Sequence, residues 1–347
     1  MTNQELTKFF ETHEWYDNSR IKMIRGCKRK AFYQLIGPRG QGLEAKVGDG
    51  ANFGSSFHAG LARYYSGWGK FDESTRRAHA SRAFAEEWGK YFPHEHIQTK
   101  HKLDRGLTIL DAYFDQYLHE DSLFEPIESE LGFCVEIHPA RPEENIPFGF
   151  DPLFRPFWYV GRIDGIFKRI STGDLYIRET KTTSKQAEER LQHLKIDHQA
   201  IGYTACARLL NNEVAQKITG FMGDVVLVAV NKLEFCRNYF HVTNAQASSW
   251  RQQLINTVVD WRKLLDGNVA LNSSEDGHWV NLDGFYQDTE RCFEYGKCAF
   301  YDLCDFGIND EALAEFSPSS WHPLIKNTPK RIEIVHEIDI KELRIEH

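Results

Sequence analysis

Three segments with the length and composition of β-strands constrain this chain more than any other feature of its sequence. Residues 157–168 and 174–180 are separated by a turn at 171–173, so they predict a pair of antiparallel strands. Residues 221–230 are almost entirely apolar over a strand's length, which predicts a buried strand within a sheet. The chain therefore has a core built on a sheet.

Helical periodicity surrounds these strands. Apolar residues recur at three- and four-residue spacing in the segments 18–36, 53–67, 73–91, 101–119, 187–210 and 245–265. Segments 130–137 and 233–242 predict further strands, whereas the tail, 330–347, fits an edge strand, a short helix or an interaction segment. The order of elements predicts an α/β fold with a mixed sheet, extended by helices at one end and by cysteine-rich sequence at the other.

We expect four regions along the chain. They are a helical N-terminal region at 1–125, a core at 126–243, a helix followed by a cysteine-rich cap at 244–310, and a tail at 311–347. No segment has the length of a membrane span, and the N-terminus lacks a basic head followed by an apolar run. These observations predict a soluble, cytoplasmic protein without membrane contacts.

The charge of the chain is unevenly distributed. Lys and Arg number 42 against 50 Asp and Glu, which gives a net charge of -8, so the protein as a whole is not an obvious polyanion binder. One basic segment contains six cations and no acid: Arg20, Lys22, Arg25, Lys28, Arg29 and Lys30. It is either a solvated helix face or a contact for nucleic acid.

Charged side chains converge near the ends of the predicted strand pair. Asp164 lies on the first strand, and Glu179 and Lys181 lie two residues apart on the second, hence on the same face. Two carboxylates on neighbouring strands make an oxygen site suited to Mg²⁺ or Mn²⁺, beside which a lysine can orient a water molecule. A salt bridge between strands explains the same three residues.

Two further polar features flank these strands. Gln199 and Tyr203 lie one helical turn apart and share a face of an otherwise apolar helix. His58 follows Gly54 on an amphipathic helix, where a lone histidine also fits a structural role.

Taken in order, these motifs resemble the RecB-like branch of the PD-(D/E)XK nucleases. They are G-x-x-x-H ending at His58, G-R-I-D-G around Asp164, E-x-K-T beginning at Glu179 and Q-x-x-x-Y beginning at Gln199, and they cover about residues 50–205. The resemblance implies a restriction-endonuclease-like core with a helical N-terminal insertion. It implies catalytic roles for Asp164, Glu179, Lys181, Gln199 and Tyr203. It also implies Mg²⁺ or Mn²⁺ bound by His58, Asp164, Glu179 and the carbonyl of Thr180.

The seven cysteines divide into two groups. Their odd number argues against a disulfide framework, and Cys134, Cys206 and Cys236 lie in apolar patterns that predict burial. Cys292, Cys298 and Cys304 form a compact triplet, and Cys27 lies in the basic segment. Four thiolates suit a [4Fe–4S] cluster or zinc, although buried structural cysteines fit as well. A distant cysteine with a C-terminal triplet resembles the iron–sulfur RecB-like nucleases, including the CRISPR-associated exonucleases.

The resemblance predicts a DNA exonuclease that acts on single strands or duplex ends. The expected settings are DNA repair, recombination, phage replication and CRISPR adaptation, with protein partners from those processes, in a bacterial, archaeal or phage-infected cell. Two alternatives stay open. The chain can be a non-catalytic, DNA-end-binding subunit of a larger complex, or a structure-specific endonuclease or RNase with the same chemistry.

Overall fold

A computed structural model describes most of the chain. It covers residues 2–45, 48–92, 102–139, 152–184, 186–210, 217–229, 232–269, 282–294, 296–319, 322, 324, 329 and 331–336. The helices are α1 (Asn3–Thr12), α2 (Asn18–Arg25), α3 (Lys28–Leu35), α4 (Asp49–Ser66), α5 (Glu73–Tyr91), α6 (Leu103–Asp121), α7 (Ala187–Leu194), α8 (His198–Ala207), α9 (Asn244–Val269), α10 (Tyr301–Asp305) and α11 (Asp310–Ala314). The strands are β1 (Trp15–Tyr16), β2 (Phe124–Ile137), β3 (Phe157–Arg169), β4 (Leu175–Thr183), β5 (Ile218–Ala229), β6 (Lys232–His241) and β7 (Arg331–Val335).

The strands form one mixed sheet in the order β6-β5-β4-β3-β2-β7, with β1 parallel to β3. β3 pairs antiparallel with β4, which confirms the predicted strand pair. β4 and β5 are parallel, and the connection between them carries α7 and α8, as a parallel pair requires. The predicted α/β class with a mixed sheet is confirmed.

Both faces of the sheet are covered, and this explains the apolar run on β5. Val225 and Leu227 point into a core shared with α2, α3, α8 and α9. Val226 and Val228 point into a second core shared with α4, α5 and α6. Because successive side chains alternate between faces, a strand covered on both sides needs apolar residues throughout. None of the described helices is both long and apolar enough to cross a membrane.

The predicted helix at 18–36 is wrong, because the structure divides it into α2 and α3. The N–H of Gly26 caps the end of α2 by donating to the carbonyls of Lys22 and Met23. The thiol of Cys27 accepts from the N–H of Lys30, 3.5 Å away, and so caps the start of α3. Hydrophobic periodicity continues across this corner. Because cysteine is not among the preferred N-cap residues, no usual capping residue in the sequence indicates the break.

The predicted helix at 187–210 is divided in the same way, into α7 and α8. Here the signal was present: the carboxylate of Asp197 accepts from the N–H of Gln199 at 2.8 Å and caps the start of α8. Aspartate is a preferred N-cap residue. Periodicity alone therefore overestimated the length of this helix.

The C-terminal tail contributes an edge strand, one of its three predicted possibilities. β7 runs parallel to β2, and residues 337–347 lie outside the described residues, as do residues 140–151. β1 and β7 both join the sheet from outside the region 126–243. The division of the chain into four regions stays a prediction.

A buried ion network joins the helices of the second core to the sheet. Arg237 on β6 lies 2.5 Å from Asp224 on β5 and 2.7 Å from Asp121 at the end of α6. The hydroxyl of Tyr113 donates to Asp224 at 2.6 Å, and that of Tyr65, on α4, donates to Asp121 at 2.5 Å. A buried charge requires such partners, so the network sets the position of α4 against the sheet.

Replacing Arg237 tests the importance of this network. We expect Arg237→Met to lower the free energy of unfolding by about 3–5 kcal/mol, because it leaves two buried carboxylates without a counter-charge. The measurement is urea unfolding. The matched control is Arg82→Met, since the side chain of Arg82 is 77% exposed, and exposed positions change stability by only about 0.5 kcal/mol. Equal effects of the two substitutions would contradict a stabilising role.

Candidate active site

Asp164 on β3 binds a histidine from helix α4. His58 Nδ1 lies 3.1 Å from Asp164 Oδ2, and the backbone N–H of Thr180 donates to the same oxygen at 3.2 Å. Helix α4 comes this close because Gly54 has no side chain: a Cβ there would lie 3.1 Å from Thr182 Oγ1, a tight contact. The spacing of Gly54 and His58 thus brings the imidazole to the acid.

Glu179 and Lys181 lie on the same face of β4, as their spacing predicted. Lys181 Nζ lies 2.5 Å from Glu179 Oε1 and donates to Gln199 Oε1 at 2.9 Å. Asn18, at the start of α2, donates to the same Gln199 oxygen at 3.1 Å. Gln199 therefore positions the lysine. Sequence reasoning missed Asn18 in this role, because its only signal was that of a helix start.

Tyr203 packs on the strand that carries Asp164. A Cβ at Gly161 would lie 2.8 Å from the ring of Tyr203 and 2.6 Å from Phe133. The rings of Tyr203 and Phe133 meet edge to face, with centroids 5.2 Å apart. Burial first, and then the charge of Glu179, raise the pKa of Tyr203 well above its usual value, so its hydroxyl stays protonated.

The two acids have opposite electrostatic environments. Burial raises the pKa of Glu179 to about 7, an effect that Lys181 opposes and Asp164 reinforces. Burial also raises the pKa of Asp164. His58, Arg178 and Lys181 outweigh this effect and together hold the pKa of that carboxyl well below its usual range. Asp164 is therefore ionised at neutral pH, whereas Glu179 exchanges its proton there.

Arg178 is a residue of this site that sequence reasoning missed. It is fully buried beside Glu179, and its guanidinium stacks 4.1 Å from the ring centroid of Tyr65. Its Nε and Nη1 atoms have no hydrogen-bond partner among the described residues. The available signal was an arginine within a strand-like segment, because such a residue stays buried only with compensating acids nearby.

The six cations of the basic segment do not share one environment. Arg20 stacks on Trp15 at 3.2 Å and donates to its carbonyl, and Arg29 donates to the carbonyls of Phe285 and Leu282 at 2.7 and 3.0 Å. These two arginines therefore make contacts within the protein.

The other four cations, Lys22, Arg25, Lys28 and Lys30, are partly or fully exposed. Arg25 Nε donates to Thr257 Oγ1 on α9 at 3.0 Å. Contact of the basic segment with DNA stays a prediction.

Cys27 and the C-terminal cysteines occupy one neighbourhood. Cys27 Sγ accepts from the N–H of Asp288 at 3.4 Å, and Cys292 Sγ donates to the carbonyl of Asp288 at 3.7 Å. Burial, together with Cys27, Cys298 and Cys292, raises the pKa of Cys304 to about 11. Cys134 and Cys206 are buried as predicted, whereas Cys236 is only partly buried. In the described part of the chain, no group of three or more His, Cys, Asp or Glu side chains is arranged to hold a metal ion.

The family of the chain follows from a comparison with known protein families. The family model described as the PD-(D/E)XK nuclease superfamily matches residues 18–305, which include every motif described above. This chain belongs to the PD-(D/E)XK nuclease superfamily. No curated protein matches it. A solved structure titled as the crystal structure of SSO0001 is similar at 12% identity and a TM-score of 0.29, covering 75% of this chain and 96% of that one, and such a likeness supports no further conclusion.

PD-(D/E)XK proteins are generally phosphodiester hydrolases that use Mg²⁺ or Mn²⁺, so membership indicates a metal-dependent nuclease and implies DNA as its substrate. The kinds of ligand present suit such an ion, but among the described residues they are not arranged as a group of three ligands. Two carboxylates and an imidazole supply suitable ligand atoms. Glu179 Oε1 is buried and accepts no hydrogen bond of good geometry among the described residues, and Lys181 Nζ lies 2.5 Å from it.

Glu179 should make the stability of the metal-free protein depend on pH. Its pKa is higher in the folded chain, about 7, than the ordinary value of 4.5, so its stabilising effect is complete below pH 4.5 and is lost as pH rises toward 7. We expect a loss on the order of 3 kcal/mol in the wild type relative to Glu179→Gln over that range. Urea unfolding in EDTA measures it.

The comparison with Glu179→Gln is necessary because His198 has the opposite effect. Burial lowers the pKa of His198 to about 3, so its contribution to stability grows as pH rises from that value to the ordinary 6.5. This contribution cancels between the two proteins. Adding Mg²⁺ or Mn²⁺ should remove the difference in slope by binding the ionised form. Parallel pH profiles of the two proteins in EDTA would contradict the assignment.

Proposed function

We propose that this protein is a DNA exonuclease of the RecB-like branch, with Asp164, Glu179 and Lys181 as its catalytic core. The observation that carries the proposal is the joint placement of two acids and a lysine. Lys181 contacts Glu179 and Gln199, and the neighbouring Asp164 contacts His58. A subunit that only binds DNA does not require this arrangement, so it favours catalysis over the non-catalytic alternative.

Residues His58, Asp164 and Glu179, with the carbonyl of Thr180, would hold the Mg²⁺ or Mn²⁺ ion. When bound, the ion supplies a Lewis acid that neutralises charge at the phosphate and makes water a stronger nucleophile. Burial lowers the pKa of Lys181, but Glu179 more than offsets this and raises it. Lys181 is therefore an ammonium ion, which orients the water or a phosphate oxygen through its N–H groups and does not remove a proton.

Gln199 and Tyr203 act as positioning residues in this proposal. Gln199 holds the ammonium of Lys181 and is itself held by Asn18. Tyr203 packs against Gly161, three residues before Asp164. In this proposal Gln199 thus positions Lys181, and Tyr203 positions the strand that carries Asp164.

Removal of the lysine tests the catalytic assignment. We expect Lys181→Ala to slow DNA cleavage by about 100-fold or more, because the water loses its orienting cation. Lys195→Ala is the matched control, since Lys195 is exposed at the end of α7. The assay uses labelled linear single strands, linear duplexes and circles, each with Mg²⁺, Mn²⁺ and EDTA. Near-normal cleavage by Lys181→Ala would refute the assignment, and cleavage of circles would establish the endonuclease alternative.

The same motifs support a biological setting. RecB-like nucleases process DNA ends, so we propose a role inside the cell in DNA repair, recombination, phage replication or CRISPR adaptation. Protein partners from those processes belong to this proposal.

We also propose that Cys27, Cys292, Cys298 and Cys304 hold a [4Fe–4S] cluster, with zinc as the alternative. Burial and then the thiols of Cys298 and Cys27 raise the pKa of Cys292, and burial with the other three thiols raises that of Cys304, which supports a shared neighbourhood for the four residues. The sulfur of Cys27 accepts two backbone N–H groups, from Asp288 and Lys30. A bound cluster would crosslink α3 to the C-terminal segment.

Metal analysis of anaerobically purified protein tests the cluster. We expect about four iron atoms per chain and broad visible absorption, both lost in Cys27→Ala and Cys298→Ala. Cys206→Ala is the control, because Cys206 is buried in α8, away from the other thiols. One zinc ion in place of iron would establish the alternative, and full iron in Cys27→Ala would show that the fourth ligand is another residue.

A further inference from the structure

An aromatic ring is held in solvent beside the basic segment. Tyr286 is 62% exposed, yet its backbone is fixed on α3, because its carbonyl accepts from the N–H of Arg29 at 3.3 Å. The guanidinium of Arg29 binds the adjacent carbonyl of Phe285. An exposed ring on a fixed backbone is available to stack on a ligand.

A shallow groove lies between α2 and α9 on the same side of the molecule. It is lined by two cations, Arg25 and Lys28, by one acid, Asp260, and by the uncharged polar residues Gln253, Asn256 and Thr257. The local charge is therefore +1 in a chain whose net charge is -8. The hydrogen bond from Arg25 to Thr257 fixes one of the cations in place.

Helix α2 lies between the groove and the candidate active site. Beside the groove, the peptide that joins Lys28 to Arg29 donates its N–H to Tyr286. At its other end, α2 begins at Asn18, which binds Gln199. From Asn18 to Arg25 the helix rises roughly 10 Å, about three nucleotides at the 3.4 Å rise per strand of B-form DNA.

The dimensions of the groove favour one strand over a duplex. It is a small site, with a volume of about 510 Å³ and six lining residues. Sites for single strands combine cations along the backbone with aromatic rings on which bases stack. The groove and Tyr286 supply both.

We propose that Arg25 and Lys28 bind consecutive phosphates of single-stranded DNA while Tyr286 stacks on one of its bases. This proposal rests on the nuclease function and adds the route by which the strand reaches the metal ligands. The aromatic residues near the basic segment in sequence cannot stack on a base, since Trp15, Phe32 and Tyr33 are buried. Stacking on Tyr286 is sequence-tolerant, because every base has a π-face.

Titration of a fluorescein-labelled thymidine oligonucleotide, in EDTA so that it is not cleaved, tests the stacking contact. We expect Tyr286→Ala to raise Kd about tenfold, and Tyr286→Phe to bind like the wild type. The matched control is Phe306→Ala, which removes a ring that is 72% exposed in the same C-terminal segment. In Tyr286→Trp, the new indole should be quenched when the strand binds.

Two further measurements distinguish base stacking from electrostatic attraction to the phosphates. An oligonucleotide with abasic sites should bind the wild type and Tyr286→Ala equally. The double variant Arg25→Gln, Lys28→Gln should lower the log–log salt slope by about 1.4, at roughly 0.7 per phosphate contact. The same charge change on α5, Arg82→Gln with Lys90→Gln, should leave the slope unchanged.

Unchanged affinity in Tyr286→Ala, or an equal loss in Phe306→Ala, would overturn the proposal. Tighter binding of duplex than of single strands would overturn the choice of ligand. Because affinity is measured without a catalytic ion, these outcomes are distinct from failure of the nuclease assignment, which the cleavage assay with Lys181→Ala decides.

Discussion

The close approach of helix α4 to the sheet is the contact on which the candidate active site depends. His58 and Tyr65 lie seven residues apart, two helical turns, and so share a face of α4. Tyr65 donates to Asp121 within the buried network around Arg237, while His58 reaches Asp164. The network therefore fixes one end of the helix face whose other end carries His58, a proposed metal ligand. The absence of a side chain at Gly54 permits the approach.

The site is organised around positive charge. In the free protein, His58 contacts one carboxylate and Lys181 the other, and the buried Arg178 lowers the pKa of Asp164 from the opposite face of β4. Even so, burial holds the pKa of Glu179 at about 7. In the proposed function, His58, Asp164 and Glu179 would hold a divalent ion. The charge of that ion would offset the cost of burying two acids.

Sequence patterns predicted most of the sheet and the main side chains of the site, because both depend on strand alternation. The run at 221–230 implied a strand covered on both faces, and the spacing of Glu179 and Lys181 placed them together. Residues whose role depends on distant partners could not be predicted. Asn18 reaches Gln199 across 181 positions, and Arg178 is recognisable only once Asp164 and Tyr65 surround it. The helix break at Cys27 was missed because its cap is a thiol held also by Asp288.

That break lies within the basic segment. Arg25, at the end of α2, and Lys28, at the start of α3, line one groove with α9 on either side of the corner at Cys27. Arg29 turns inward to the carbonyls of Leu282 and Phe285. The segment that Arg29 fixes also carries Tyr286, Asp288 and the cysteine triplet. Since the Cys27 thiol accepts from the N–H of Asp288, we expect a change at the thiols to alter the corner. The cysteines and the proposed DNA-binding groove are therefore linked through the same few contacts.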